Sequence, residues 1–383
     1  GMKTPLGFGM MRLPQKSDDP ADIDYEKLYQ MVDAFMAAGY RYFDTSYVYH
    51  NGASEIATRK AVVERYPRDR YEIATKFPIF TIQSEDEIEP IFQNHLKNLG
   101  VEYIDYYLIH NVQTYLYDGI DGNGGIIKAT NLFEHAKRWK KEGRIKHLGF
   151  SFHSSADVLE RVLKEHPEVE FVQLAINYLD WESEFVQAKA YYETALRYGK
   201  QVIVMEPVKG GALVRLPERA EKILKDFAPD QSVVTWAQRF AASLDGVLVH
   251  LSGMSDLEQV KENIRIFGEM ESLNETEKNV LKEAVATYRD IASPSQEEIE
   301  KFRGIAFHGV PATAILQAYA IMKMVPNPAG ADETVYLKNS LAEYAHMDIH
   351  GDFPKENIIL PDGTNGTSLL EEAFEYLVKF NIF

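Results

Sequence analysis

Gln201-Val202-Ile203-Val204-Met205-Glu206 sets four consecutive apolar side chains between two polar ends. A strand with one wet face alternates apolar and polar residues. A run without alternation suits a strand buried on both faces, as in a parallel sheet covered by helices. Similar short runs recur at Pro5–Met10, Tyr40–Thr45, Tyr71–Lys76, Tyr103–His110, Ile145–Ser151, Phe171–Asn177 and Val247–Ser252. Amphipathic stretches lie between them. Tyr25–Ala38 has apolar residues at helical spacing, follows two candidate caps, Asp22 and Asp24, and stops at Gly39. Glu134–Lys141 ends similarly at Gly143. Eight strand-like runs with intervening helices predict an α/β fold, a (β/α)8 TIM barrel. A doubly wound sheet is the rival, but one that binds a dinucleotide usually opens on Gly-x-Gly-x-x-Gly. Gly7-Phe8-Gly9-Met10-Met11-Arg12 lacks the third glycine.

The chain has 383 residues, 45% of them hydrophobic, enough for a large core. Length alone suggests two or three domains, yet a barrel of about 250 residues counts as one. Acidic residues outnumber basic ones 58 to 41, a net charge of −17, which argues against nucleic acid or an anionic membrane as a partner. There is no cysteine, so disulfides, thiol nucleophiles and thiolate-held metal centres are excluded together. No apolar run approaches the roughly 18 residues of a membrane span. Gly1-Met2-Lys3 has no signal-peptide core, and Gly1 reads as the remnant of a cleaved tag. A cytoplasmic protein is expected, and nothing sets its oligomeric state. The barrel pattern covers 2–273. Residues 274–383 read as a partly helical extension. It opens on Glu275–Ile291, breaks at Ser293–Ser295, contains the Pro/Gly-rich stretches Val325–Asp332 and Asp352–Gly366, and closes on the apolar-faced Ser368–Phe380.

A barrel does its chemistry at the carboxyl ends of its strands. Those ends carry Asp44, with Tyr49 just beyond it, then Lys76 and His110. A phenol, with an ordinary pKa near about 10, is a weak acid unless its anion is stabilised. A nearby ammonium stabilises it, a carboxylate can hold that ammonium, and a histidine can orient a carbonyl oxygen. The set forms a general acid aimed at an oxygen that becomes an alkoxide. Taken singly, Asp44 is more often a cap, Lys76 a solvated charge and His110 a core histidine. Their convergence from three successive strands is what points to chemistry.

Phe43-Asp44-Thr45-Ser46-Tyr47-Val48-Tyr49, Ala74-Thr75-Lys76 and Tyr107-Leu108-Ile109-His110 together resemble the aldo/keto reductase family. The resemblance runs from about Leu6 to Ile266. It implies a (β/α)8 barrel, a nicotinamide cofactor held without a Rossmann fold, and the tetrad Asp44, Tyr49, Lys76 and His110. Tyr49, five residues after Asp44, matches the catalytic tyrosine, and Tyr47 does not. Gly149-Phe150-Ser151-Phe152-His153 resembles the strand end whose serine holds the nicotinamide amide, though Phe152 stands where an asparagine is usual. Gln173 and Asn177 resemble a neighbouring strand whose glutamine also binds that amide. Met205 takes the place of a tyrosine that stacks on the nicotinamide ring, and Pro207, Val208 and Gly211 resemble a pyrophosphate clasp. Ser252, Gly253, Met254 and Ser255 resemble the phosphate-binding turn, with Ser255 and Glu258 read as a capping box. Gln259 and Asn263 resemble adenosine contacts, and Met11 joins the cofactor positions. NADP(H) is the family's default. Relatives specific for NADP often carry lysine and arginine where this chain has Gly253 and Gln259, so NAD(H) stays open.

Met205–Gly211 and Leu251–Ser255 narrow the resemblance to a bacterial branch that often bears a ferredoxin-like, cysteine-rich C-terminal domain. Here every cluster ligand is missing, so the extension is expected to carry no iron–sulfur cluster. The eleven histidines show no helical His-x-x-x-His pair and no His-Glu-x-x-His, so no metal site is expected. The expected activity is NAD(P)H-dependent reduction of a small-molecule aldehyde or ketone. The alternatives are a nucleotide-binding regulatory or scaffold subunit with slow turnover and, more weakly, a metal-dependent barrel. Asn111–Asn131 reads as a lid or a solvated loop, with Tyr115 or Tyr117 as candidate pocket walls. Phe80, Tyr47 and Trp181 are further wall candidates.

Overall fold

The computed structural model describes residues 5–119, 122–183, 186–205, 207–208, 213–307, 310–324 and 357–378. The chain forms two compact units. The first comprises residues 1–176, 189–207 and 241–272. It holds β1 (Leu6–Gly9), β2 (Tyr42–Asp44), β3 (Glu72–Phe77), β4 (Ile104–Ile109), β5 (Ile145–Ser151), β6 (Phe171–Ala175), β7 (Gln201–Met205) and β8 (Val247–Gly253). These eight strands close into a parallel barrel in chain order, sealed where Gly7 pairs with Leu251 and Gly9 with Gly253.

The absence of alternation in the strands now has its cause. Tyr42, Ala74, Leu108, Phe171, Ile203, Val249 and Leu251 fill the barrel as one cluster. The residues between them face the helices. Helix Tyr25–Ala37 buries Leu28, Met31, Val32 and Phe35, one stripe at helical spacing. Phe35 sets its ring edge-on to Phe8 of β1 and Phe43 of β2, with centroids 5.4 and 5.1 Å apart. Of the two candidate caps, Asp24 does the capping, its carboxylate accepting from the Lys27 N–H at 3.2 Å. Inside the barrel, a Cβ on Gly149 would lie 2.5 Å from the Phe171 carbonyl oxygen, so β5 and β6 need glycine there.

His250 is the polar exception on the outer face of β8. It is fully buried, and neither ring nitrogen has a hydrogen-bond partner. Burial pulls its pKa down to about 3. An unfolded histidine takes up a proton below about pH 6.5, whereas the folded one stays neutral until far lower. Stability is therefore full above that range and drains as pH falls through it. Between pH 7.5 and 5.5 this group should cost about 1.4 kcal/mol. Urea denaturation of wild type and His250→Leu at both pH values checks this. The variant should lose about that much less on acidification, and parallel losses would show that His250 is not the source.

The second unit comprises residues 177–188, 208–240 and 273–383. Helix Glu218–Phe227 packs on helix Glu275–Ile291 around Leu224, Trp236, Leu281, Ala284 and Tyr288. Asn274 caps the second of these helices, and Arg239 donates to Glu277 at 2.9 Å. Helices Ala312–Met324 and Thr367–Val378 meet through Tyr319 and Tyr376, rings 5.1 Å apart. The unit's last segment starts at Leu273. The sequence pattern places its boundary between 273 and 274 and keeps 177–188 and 208–240 with the barrel. The stretch Val325–Asp332 lies outside the described residues. Among the described residues, no helix is long and apolar enough to cross a membrane.

Candidate active site

Side chains on one face of a strand recur every second residue. Two residues beyond the barrel-filling positions Tyr42, Ala74, Leu108, Phe171, Ile203 and Leu251 stand Asp44, Lys76, His110, Gln173, Met205 and Gly253. Ser151 stands two residues beyond Gly149 and pairs in register with Gln173. The pleat that fills the barrel with apolar side chains thus delivers a polar ring to its carboxyl-end rim.

Lys76 is 1% exposed. Its ammonium donates to both Asp44 carboxylate oxygens at 3.0 Å and to the Thr45 carbonyl at 2.8 Å. Burial works against that ammonium, but Asp44 and then Tyr49 outweigh it, and its pKa stands above the ordinary lysine value. Burial also pushes the Asp44 carboxyl up, with Lys76 pulling it down. One ammonium on both carboxylate oxygens is the geometry of an ionised pair. Tyr49 opens the short turn Tyr49–Gly52 and is partly exposed. The Lys76 nitrogen lies 4.6 Å from its ring centroid.

His110 sits just past β4, its ring edge-on to Tyr49 with centroids 6.1 Å apart. Burial, then the Lys76 charge, then His153 hold its pKa well below the ordinary histidine value, so it is a neutral imidazole. The Ser46 hydroxyl lies 3.4 Å from its Nδ1. Tyr47 turns elsewhere. Its ring packs against His95 at 5.3 Å, and its hydroxyl accepts from Asn94 at 3.4 Å. Phe80, 40% exposed, sets its ring 5.3 Å from His110, which leaves an apolar surface beside the reactive groups.

On the next strands, the Ser151 hydroxyl accepts from the Asn111 N–H at 2.8 Å and donates to the Asn111 side-chain oxygen at 3.3 Å. Gln173 donates to the Met205 sulfur at 3.5 Å, while its buried Oε1 has no partner. A buried amide oxygen without a donor suits an incoming N–H2 group such as a carboxamide. At β8, Ser255 does not cap the helix Leu257–Glu269, which corrects the capping-box reading. The cap is Asp256, accepting from the Gln259 N–H at 2.8 Å, whereas the Ser255 hydroxyl donates to the Arg12 carbonyl at 2.7 Å. Gln259 turns back to accept from the Ser255 N–H at 2.7 Å, and Asn263 donates to the Gln259 carbonyl at 2.8 Å. Ser252 and Gly253 end β8, and Met254 is fully buried behind them. Met11, 42% exposed, follows β1. Pro207 is buried in the first unit, Val208 belongs to the second, and Gly211 lies outside the described residues.

The described residues of Asn111–Asn131 carry local helical order. They include the short helices Thr114–Tyr117 and Ile126–Ala129. Tyr117 is no pocket wall: it is fully buried, and its hydroxyl donates to Glu165. Trp181 packs edge-on to Phe240 within the second unit. Sequence reading passed over three groups. Asn111 holds a left-handed backbone, φ 58°, and orients Ser151. Its signal was an asparagine, a residue that tolerates that conformation, directly after His110. Buried Glu55 accepts from Thr75 and His95, both at 2.7 Å, and so anchors the strand that carries Lys76. The third is His50, beside Tyr49. Among the described residues, no cluster of three or more His, Asp or Glu could hold a metal ion.

A match to the aldo/keto reductase family covers residues 5–286. A probable aldo-keto reductase of Glycine max is 30% identical over 170 residues, 42% of this chain and 45% of that protein. The chain thus spans less than half the length of that relative. The holo form of an aldo-keto reductase from Bacillus halodurans shares 25% identity at a TM-score of 0.57, covering 74% of this chain and 92% of that one. An aldo/keto reductase of Klebsiella pneumoniae, solved with NADP and acetate, shares the fold at 16% identity and a TM-score of 0.57, covering 74% and 95%.

Proposed function

This chain belongs to the aldo/keto reductase family of NAD(P)-dependent oxidoreductases, and from that premise we propose that it reduces an aldehyde or ketone to an alcohol with Tyr49 as proton donor. The observation that carries this reading is the buried Lys76 ammonium, clamped by Asp44 and set against the Tyr49 ring. Bound reduced nicotinamide supplies the hydride. Ser151 and the partnerless Gln173 oxygen fit its carboxamide, Met205 offers a polarisable sulfur to the ring, and the Ser252–Ser255 turn with Gln259, Asn263 and Met11 is read as holding the rest.

Neutral His110 donates a hydrogen bond to the carbonyl oxygen and holds it within reach of Tyr49. As the carbon gains hydride, the C=O π electrons move to oxygen, which takes the Tyr49 proton. The tyrosinate left behind is stabilised by Lys76 until solvent returns a proton. Phe80 and Met11 give the mouth an apolar side, which suits a carbonyl carrying an apolar or aromatic substituent.

The test is a titration with NADPH and with NADH, followed by rapid mixing of the tighter complex with a simple aldehyde. One equivalent of cofactor per chain should be oxidised in the first turnover. Tight cofactor binding without oxidation by any member of an aldehyde and ketone panel would instead favour a nucleotide-sensing subunit.

A further inference from the structure

Building on the carbonyl-reductase reading above, we propose that His50 is a positioning residue, which fixes Tyr49 for proton transfer by locking the turn that Tyr49 opens. That turn has an unusual backbone. His50 and Asn51 both lie in the left-handed region, at φ 54°, ψ 42° and φ 52°, ψ 36°, and Gly52 follows at φ 92°. Glycine accepts this conformation freely and asparagine tolerates it. Two consecutive residues with a Cβ persist there only where their surroundings over-determine them.

The buried His50 ring supplies that constraint. Its Nε2 accepts from the Leu13 N–H at 3.0 Å, and its Nδ1 lies 2.8 Å from the Pro20 carbonyl oxygen. An N–H needs a lone pair and a carbonyl oxygen needs a donor, so Nδ1 carries the hydrogen and the ring is neutral. Burial agrees, holding its pKa below the ordinary histidine value. The ring thus staples the turn at two points to the segment that follows β1. That segment is itself held. The Leu13 N–H and the Arg12 carbonyl belong to one peptide group, and the Ser255 hydroxyl donates to that carbonyl at 2.7 Å. One peptide therefore spans Ser255 after β8 and His50 beside Tyr49. Just past the turn, the Ser54 hydroxyl donates to the Met10 carbonyl and shares a hydrogen bond with the Thr45 hydroxyl, both at 2.8 Å. The Thr45 carbonyl accepts from Lys76. The turn is fastened to the frame that holds the Lys76 ammonium, so releasing His50 lets Tyr49 move relative to Lys76.

The experiment measures kcat and KM for a simple aldehyde at saturating cofactor, as a function of pH, in the full chain and its His50 variants. Reduction needs a protonated Tyr49, so the fall of kcat at high pH reports the phenol. Lys76, paired with Asp44, and His110 face that phenol in every variant. His50→Leu fills the space but neither accepts nor donates. Its kcat should fall about 10- to 100-fold, part of the worth of a general acid, with KM within about threefold. Its alkaline limb should move up, because a phenol displaced from an ammonium holds its proton more tightly. His50→Gln returns an acceptor for the Leu13 N–H and should recover most of kcat. His50→Asn keeps a donor for Pro20 but withdraws the Leu13 acceptor. It should show both effects of the leucine variant in smaller measure, and it carries the test where that variant does not fold. An alkaline limb that stays in place, or an undiminished kcat, would make His50 a packing residue and overturn the proposal while leaving Tyr49 as donor. A wild type that reduces no carbonyl would overturn both.

Discussion

Tyr49→Phe should lower kcat by about 10²- to 10⁴-fold, the range of a lost general acid, and leave NADPH affinity within about twofold. The asymmetry follows from the contacts. Phenylalanine keeps the ring, and with it the packing 4.6 Å from the Lys76 nitrogen and 6.1 Å from the His110 centroid. Only the hydroxyl leaves. The proposed cofactor contacts lie on Ser151, Gln173 and the β8 turn, none of which Tyr49 supports. Stopped-flow turnover and a fluorescence titration separate the two quantities. Tyr47→Phe is the matched control, because its ring and hydroxyl are engaged by His95 and Asn94. It should retain turnover within a few-fold. Undiminished turnover in the Tyr49 variant would remove Tyr49 as donor, and a matching loss of NADPH affinity would recast it as a binding residue.

The barrel was legible because its signal is local. A strand buried on both faces loses alternation, and eight such runs at intervals suitable for helices leave few other folds. The shared rim of Asp44, Lys76 and His110 was legible because a strand end is a sequence position; their catalytic roles remain the proposal made above. The choice of Tyr49 over Tyr47 rests on the count from Asp44; the Tyr49 ring lies against His110, whereas the Tyr47 ring lies against His95. What stayed hidden depends on contacts across the barrel seam or on competition between neighbours. Ser255 satisfied the spacing of a capping box, but the Arg12 carbonyl took its hydroxyl and Asp256 took the cap. No spacing rule links residue 12 to residue 255. The network of Glu55, Thr75 and His95 joins a helix, a strand and a second helix, and shows in sequence only as isolated polar residues. Tyr117 looked like a pocket aromatic in a Gly-rich stretch, yet partnership with Glu165 buried it.

The largest coupled effect is expected at Asp44 and Lys76, where stability and turnover should part company. Asp44→Ala leaves an ammonium that is 1% exposed without its carboxylate. Breaking a buried pair from one side costs about 3–5 kcal/mol, so urea denaturation should show a loss of that order. Turnover should fall by about 10²-fold or more, because an unanchored Lys76 can no longer stabilise the developing phenolate. Lys76→Met strands the carboxylate instead and should cost a comparable amount. In Asp44→Leu/Lys76→Met neither charge remains, and apolar side chains of similar reach fill the rim. Buried ion pairs replaced in this way are often neutral or better in stability, so most of the lost stability should return while turnover stays low. The double variant therefore separates two uses of one pair. If turnover returned along with stability, the pair would be scaffolding for Tyr49 and not its electrostatic partner. If stability failed to return, the Thr45 carbonyl, which accepts from Lys76 at 2.8 Å, would be the orphan left behind. Adding Thr45 to the cycle would then measure that third contact.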